Sequence, residues 1–446
     1  MIDRYTTPAM SEIWSREAKY RRWLEVELAV CEAWAEEGVI AQEDLRTIRE
    51  RAAFDLARCD EIEAETRHDL AAFVRCVEES VDGGRGDPHP PTPSPYPDSV
   101  ETRGGGAGRW IHFGLTSYDV IDTALGMMLC DSCAVLFESL GKLSSAIEGL
   151  KSGAGATPMI GRTHGIHAEP ITFGHKLAGW LAELDRAETR LRFCADDVAV
   201  GKVSGAVGVH PHVSPEMERR ICERLGLRPD LVSTQIVGRD RLASLLCVLA
   251  VLAGSLERIA TELRSLQRTE IREVEEGFGA GQKGSSSMPH KRNPWSSETV
   301  CGLARLVRAN AHAMLETIAT WHERDLTNSS LERVILPDTF HAVDFMLNRL
   351  ASIVSNLQVL PENMTKNLRL MGDLVFSEHL MNSLIAKGSS RDEAYRIAQR
   401  NAEKAWGGAD FRACVESDAA VCERLSEEEI ARVFDLEHHL RHAERD

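Results

Sequence analysis

Two stretches of this chain repeat apolar residues alternately four and three positions apart. In the first, Phe173, Leu177, Trp180, Leu184, Ala187, Leu191 and Cys194 share one face; in the second, Leu245, Leu249, Leu252, Leu256, Ile259, Leu263 and Leu266 do. That spacing predicts long helices with an a/d seam, as in antiparallel bundles and coiled coils. Leu246, Val248 and Val251 lie off the second seam, which predicts burial on several sides, with other subunits among the neighbours. A helical pattern also runs from Arg4 to about Val81, with Trp14, Trp23, Leu24, Val26, Leu28 and Trp34 offering apolar faces. From about Asn363 the chain reads as a smaller helical domain with a polar tail. Strand signals are few, residues 199–208 being the best short candidate. The predicted class is mainly α.

The periodicity fails in two places, and each predicts a loop. From Asp82 to Ala107 the chain reads DGGRGDPHPPTPSPYPDSVETRGGGA, with six prolines and six glycines. Such a segment cannot bury enough surface to offset its ordering entropy, so an exposed loop or disorder is expected. A Pro-rich partner motif is the lesser reading. The other break is Gly277 to Glu298, GFGAGQKGSSSMPHKRNPWSSE, where four glycines in eight residues precede three serines. Glycines at this density let the backbone approach a ligand closely, and Lys283, Lys291, Arg292, Asn293 and the hydroxyls suit an anion. Composition alone fits a solvated interhelical loop equally well. Ser296 and Ser297 read as N-caps of the next helix.

At 446 residues the chain can bury a large core over two or three domains. Its formal charge of -17 argues against a nucleic-acid or anionic-membrane surface. An anionic substrate would therefore need a local concentration of Arg, Lys and His. The eleven cysteines are scattered, and Cys130-x-x-Cys133 has no second pair, so no metal site is expected. The N-terminal residues carry no apolar signal region, and Leu242–Leu256 is too short for a membrane span. A soluble, cytoplasmic protein with reduced thiols is the expectation.

Other clusters carry candidate chemistry. Thr66-Arg67-His68-Asp69 is read as lying inside a helix continuing through Phe73 and Val77, with Arg67 facing an anion and Asp69 orienting the imidazole. Thr116 with Asp119 resembles a capping box, which by itself explains Thr116 and Ser117 structurally. His112 precedes that cap, where a helix N-terminus favours an anion. In Gly161–Pro170, the Gly between His164 and His167 and the nearby Pro argue against a helical metal pair. A loop presenting His164 as acid or base fits better. Arg324, Ser329 and Arg333 suit a phosphate, although such a charge run equally describes an ion-paired helix surface.

The run Gly284–Pro294, GSSSMPHKRNP, resembles the signature loop of the fumarase/aspartase superfamily without a gap. MIDRYTTPAMSEIW, ETRHDLAAFVR, WIHFGLTSYDVIDTAL, GRTHGIHAEPITFGHKLA, the serine loop and WHERDLTNSSLERVILPD occur in the order found in the adenylosuccinate lyase branch, over nearly the whole chain. Fumarases and aspartases tend to read MPGKVN in the loop and argininosuccinate lyases MPQKKN; MPHKRN also suits the cycloisomerase branch. Arg4-Tyr5, the RHD element and the WHERD block favour the adenylosuccinate lyases. The departure is Asp82–Ala107, longer than the typical bacterial connection.

The resemblance implies an all-α, three-domain fumarase/aspartase-like fold. Its N-terminal domain would span 1–115, with the insert at about 82–107. A central long-helix bundle with the loop 277–298 would span 116–362, and a C-terminal domain 363–446. It implies a homotetramer whose sites are shared between subunits, small-molecule nucleotide substrates, and no cofactor, metal, nucleic acid or membrane. The implied reaction is anti elimination of fumarate from a succinylated purine nucleotide. Ser285 matches the family's base; a serine serves so only if amides and a cation stabilise its oxyanion. His164 would protonate the leaving nitrogen, Glu298 would orient His164, and Lys291 and Asn293 would hold the succinyl carboxylates. His68 and His112 would serve phosphate and substrate alignment. Arg4, Tyr5, Arg67, Asp69, Thr116, Ser117, Gln235, Arg324, Ser329 and Arg333 match nucleotide-contacting positions. The alternatives are another superfamily lyase or cycloisomerase, and a non-enzymatic structural protein on the same scaffold.

Overall fold

The computed structural model describes residues 1–83, 106–278 and 287–443. Most of the Pro/Gly-rich segment and Ser285 itself lie outside these residues. The described chain groups into two compact units, one from Met1–Ser139, Ala187–Gly254 and Leu303–Leu347, the other from Leu140–Arg186, Ser255–Gly302 and Asn348–Asp446.

The first unit opens with α1 (Pro8–Trp14), α2 (Arg16–Glu36), α3 (Gln42–Arg51), α4 (Leu56–Thr66) and α5 (Asp69–Asp82). Ser15 and Asp55 cap α2 and α4 by accepting from the backbone N–H of Ala18 and Arg58, at 3.1 and 2.7 Å. Tyr20 stacks on Trp23 at 4.8 Å, and Phe73 meets both edge-on at 5.4 and 5.5 Å, which joins α2 to α5. The expected continuous helix through residues 66–69 is broken. Arg67 is left-handed (φ 53°) and closes α4, while His68 is the N-cap of α5. The sequence reading missed the break because no Gly or Pro marks it.

The long helices α6 (Ser117–Ala154), α7 (Phe173–Asp197), α9 (Arg239–Leu266), α10 (Trp295–Leu315) and α11 (Thr327–Ser355) contribute residues to both units, and the short α8 (Pro215–Arg224) lies in the first. Every residue of the two predicted seams is buried. Off the second seam Leu246 is buried, but Val251 is half exposed. Both α6 and α9 are long and apolar enough to cross a membrane, and 61% and 56% of their most apolar windows are buried inside the fold.

Only part of the predicted strand forms. Val200–Gly201 pairs in parallel with Arg228–Pro229, and the chain then turns away. The turn delivers Lys202, fully buried, to Asp119 in the first turn of α6; its ammonium also donates to the Gly205 carbonyl at 2.9 Å. The other Asp119 oxygen accepts from the Thr116 N–H at 2.8 Å, half of the predicted capping box. One turn further along α6, Asp122 takes a bidentate bond from Arg239 at 2.6 and 2.9 Å, and Arg239 also grips Glu332 of α11 at 2.9 and 3.1 Å.

In the second unit, β1 (Pro158–Thr163) and β2 (Ile166–Thr172) form an antiparallel hairpin with an irregularity at Gly161, where only a loop was expected. Val274–Glu275 pairs with Gln358–Val359. The C-terminal helices α12 (Pro361–Leu368), α13 (Ser377–Ala386), α14 (Arg391–Trp406), α15 (Phe411–Glu416), α16 (Ala419–Cys422), α17 (Glu427–Val433) and α18 (Leu436–Leu440) share a core with Phe376, Leu380, Leu384, Phe411 and Val415 at its centre. The predicted helix opening at Ser296–Ser297 is corrected to Trp295, so both serines lie inside α10. Pro294, immediately ahead of it, sets the turn.

Removing one member of a buried charge network leaves the others uncompensated. Arg239→Met should strand Asp122 and Glu332 and destabilise the fold by about 3–5 kcal/mol. Urea unfolding followed by circular dichroism measures this, and an unchanged midpoint would show that the network contributes nothing net.

Candidate active site

Two sets of candidate residues emerge, one on each unit. In the first unit, α11 supplies Ser329 and Arg333 a turn apart. Arg333 Nη2 lies 2.9 Å from Asp69 Oδ2, linking α11 to the Arg67–Asp69 junction. Ser329 Oγ accepts from Tyr118 Oη at 3.1 Å, and the Arg324 guanidinium stacks 3.5 Å over the Tyr118 ring. Arg324 Nη1 also donates to Gln235 Oε1 at 2.8 Å. Gln235, Arg324, Ser329, Arg333 and Asp69 are thus joined in two short chains. Pro337 of α11 removes the hydrogen bond that would have engaged the Arg333 carbonyl, one turn beyond the site.

Asp69 does not orient His68 as expected. Its carboxylate is 3.9 Å from His68 Nδ1, which instead accepts from the Ala71 N–H at 3.3 Å as the cap of α5. The imidazole is half exposed. His112 is held by Glu27, which accepts from its backbone N–H at 2.8 Å and meets Nδ1 at 2.7 Å. Burial pulls the His112 pKa down, but the Glu27 charge and hydrogen bond outweigh it, and the net direction is up. Glu78 is pushed up to about 7 by burial and by the Glu27 charge. Thr116 and Ser117 stand at the N-terminus of α6, partly exposed. Arg4 is exposed on the turn Asp3–Tyr5, and the Tyr5 ring packs edge-on against Phe345 at 5.3 Å.

In the second unit His164 sits at the tip of the β1–β2 hairpin. His164 and Gly165 both have positive φ, 55° and 78°, as a two-residue type I′ turn requires. The hairpin is anchored by Arg162, bidentate to the buried Glu273 at 3.1 and 2.7 Å, and Asn367 donates to the same carboxylate at 2.8 Å. His439 Nε2 bonds the Pro170 carbonyl at 3.0 Å and tethers α18 to β2. The loop's described ends are pinned as well. Glu276 Oε1 accepts from Ser297 N and Oγ at 2.9 and 2.6 Å, and Arg292 reaches Glu275 at 3.2 Å. A Cβ on Gly277 would stand 2.6 Å from the Asn356 carbonyl, so only glycine fits there. Lys291 and Glu298 are exposed and Asn293 half-buried; no hydrogen bond or ion pair joins His164 to Glu298. No group of three metal-ligating side chains converges among the described residues.

Sequence reasoning passed over Tyr118, Glu27, Asp122, Arg239 and Glu332. Their partners lie 85 to 211 positions away in pairs such as His112–Glu27 and Tyr118–Ser329, so no local spacing marks them. Lys19, which lines a cavity with Ser329 and Arg333, was missed too. Its only signal was a cation among aromatics.

Known proteins supply the remaining comparison. Residues 3–309 match the family model described as Lyase, and residues 373–445 match the one described as Adenylosuccinate lyase C-terminus. The solved fumarate lyase from Mesorhizobium sp. BNC1 superposes with a TM-score of 0.85 at 26% identity, covering 99% of this chain and 97% of that one. The 3-carboxy-cis,cis-muconate lactonizing enzyme from Pseudomonas putida does so at 0.84 and 29% identity, covering 98% and 95%. The fold is that of the fumarase/aspartase superfamily. The adenylosuccinate lyase of Synechocystis sp. is 49% identical over 442 residues, 99% of this chain and 97% of that protein. The chain belongs to the adenylosuccinate lyase family.

The geometry at His112 makes a pH prediction. A histidine whose pKa is raised on folding contributes stability that is present below its unfolded value, about 6.5, and is lost as pH rises through the folded value. Glu27→Gln should lower the His112 pKa in an NMR titration and remove that slope from the stability profile. A His112 pKa unmoved by the substitution would refute Glu27 as its cause.

Proposed function

We propose that the protein catalyses anti elimination of fumarate from adenylosuccinate, giving AMP, and from SAICAR, giving AICAR, in purine nucleotide biosynthesis. The observation that carries this reading is the 49% identity to an adenylosuccinate lyase over essentially the full length of both chains. Ser285, first of the serines after Gly284, is the proposed base that takes the proton beside a succinyl carboxylate. The glycines around it would let the loop close, bring amides to the serine oxyanion and exclude water. Lys291 and Asn293 are assigned to the carboxylates and the charge that develops on them, where one well-placed donor is worth about 3–4 kcal/mol. His164 is assigned to protonate the departing nitrogen. Its place at the tip of an anchored hairpin, exposed and without a hydrogen-bond partner among the described residues, suits a group that must meet a substrate.

Gln235, Arg324, Ser329 and Arg333, with Arg4, Tyr5, Arg67, His68, Asp69, His112, Thr116 and Ser117, are assigned to the nucleotide. The hydrogen-bonded and stacked cluster around Ser329 and Arg333 supports this, since guanidinium forks and hydroxyls match phosphate. The division at about residues 115 and 362 into three domains, the homotetramer with shared sites, and a cytoplasmic location belong to the same proposal. So does Glu298 as the partner of His164, a contact the single chain lacks. Ultraviolet monitoring of adenylosuccinate conversion to AMP and fumarate tests the activity; inert adenylosuccinate beside a processed argininosuccinate or carboxymuconate would overturn it.

Ser285→Ala should abolish turnover and retain adenylosuccinate binding, because the assigned phosphate and carboxylate contacts lie elsewhere. Near-normal activity would move the base role to Ser286 or Ser287. If sites are shared, His164→Ala and Ser285→Ala proteins unfolded together and reassembled should regain up to about a quarter of wild-type activity, each site needing both residues intact from different chains. Mixed tetramers as inactive as their parents would sink the shared-site model for this pair.

A further inference from the structure

The first unit holds a cavity of about 290 Å³ lined by Trp14, Lys19, Trp23, Tyr118, Ser329 and Arg333, among others. That is near the lower end for small-ligand sites. The Lys19 ammonium sits 4.7 Å over the Trp23 ring and 5.3 Å over the Tyr20 ring, and it donates no hydrogen bond to any described residue. Lys19 is partly exposed, so water still reaches the ammonium, but no acceptor among the described residues takes any of its three donors. Burial lowers its pKa, Asp69 opposes that shift, and Arg333 adds to it.

The carboxylates nearby are already engaged. Asp122 and Glu332, also on the cavity wall, are both gripped by Arg239; Asp69 is ion-paired with Arg333 at 2.9 Å; and Glu63 lies 3.9 Å from Arg16. An entering oxyanion would give Lys19 the acceptor it lacks, with the Ser329 hydroxyl and the Arg333 guanidinium on the same wall. We propose that Lys19 binds the 5′-phosphate of the nucleotide together with Ser329 and Arg333, as a specificity-determining cation outside the sequence motifs. The inference rests on the nucleotide reading of that cluster. Phosphate is favoured over the succinyl carboxylates because the residues sharing the wall are the hydroxyl and guanidinium assigned to phosphate.

The test uses full-length wild type, Lys19→Gln and Lys19→Arg, with thermal midpoints compared first. A hydrogen bond to a charged group corresponds to about 10- to 100-fold in affinity. Lys19→Gln should raise KM for adenylosuccinate by that factor with a much smaller change in kcat. It should weaken AMP binding, read by calorimetry without turnover, by the same factor, and leave fumarate inhibition unchanged. Lys19→Arg should restore most of the AMP affinity. If Lys19→Gln is too unstable to measure, a Lys19→Arg protein that folds but binds AMP no better than about a tenth as well as wild type overturns the proposal. So does unchanged AMP affinity in Lys19→Gln, and so does weakened fumarate inhibition in place of weakened AMP binding, which would assign Lys19 to a carboxylate. Wild type that binds AMP yet does not cleave adenylosuccinate would refute the catalytic reading and leave Lys19 to be judged on AMP alone.

Discussion

The first turns of α6 are fixed by charge buried away from water. Asp119 and Asp122 are both buried on one helix, and each needs a cation that the helix cannot supply. Lys202 answers the first and Arg239 the second, from segments about 80 and 117 residues downstream. Because Arg239 also holds Glu332, the neighbouring Arg333 and, one turn back, Ser329 are placed by the same network. Hydrophobic burial at the seams brings the helices together, but it leaves rotation and sliding soft. Paired charges with directional hydrogen bonds tolerate neither, so they set where Thr116, Ser117, Tyr118, Ser329 and Arg333 stand.

The second unit uses a different device for the same end. Its hairpin is short, and a two-stranded ribbon is marginal alone. The Arg162–Glu273 fork, Asn367 and the His439 contact at Pro170 hold it from three sides, so the turn carrying His164 projects from a rigid base. The loop beside α10 is treated likewise at both described ends, through Glu276 with Ser297 and Arg292 with Glu275.

Much of this was legible in the sequence where the signal is local. The 4-3 repeats gave both seam helices, and the RHD, WHERD and serine-loop runs supplied the candidate residues. Several of the misses depend on contacts distant in sequence, and the others on local backbone states that composition does not mark. Nothing near Glu27 announces His112, and the 158–172 hairpin hides behind Pro158, Gly161, Gly165 and Pro170, residues that read as loop. The break at Arg67 failed for a subtler reason. A left-handed Arg is rare enough that propensity argues for continuing the helix. The fold alone would not have chosen the chemistry either. A fumarate lyase and a lactonizing enzyme superpose almost equally well, and near-full-length identity to an adenylosuccinate lyase is what separates them.

That rare backbone state is informative in itself. Among the described residues, the non-glycine positions with positive φ are Arg67, His112, His164, His210, Arg272 and His322. Three of the six, Arg67, His112 and His164, lie in the sequence motifs that carry candidate site residues. A fourth, His322, lies in the WHERD run two residues before Arg324. A left-handed L-residue costs about 1–2 kcal/mol, and such strain persists only where surrounding contacts over-determine it. Here those contacts are identifiable: the α4–α5 junction with Asp69 tied to Arg333, the two Glu27 bonds at His112, and the anchored hairpin at His164. Glycine at any of these positions would relieve the backbone but remove the side chain. At Arg67, His112 and His164, in both units, the chain keeps a polar or charged side chain where glycine would suit the backbone better.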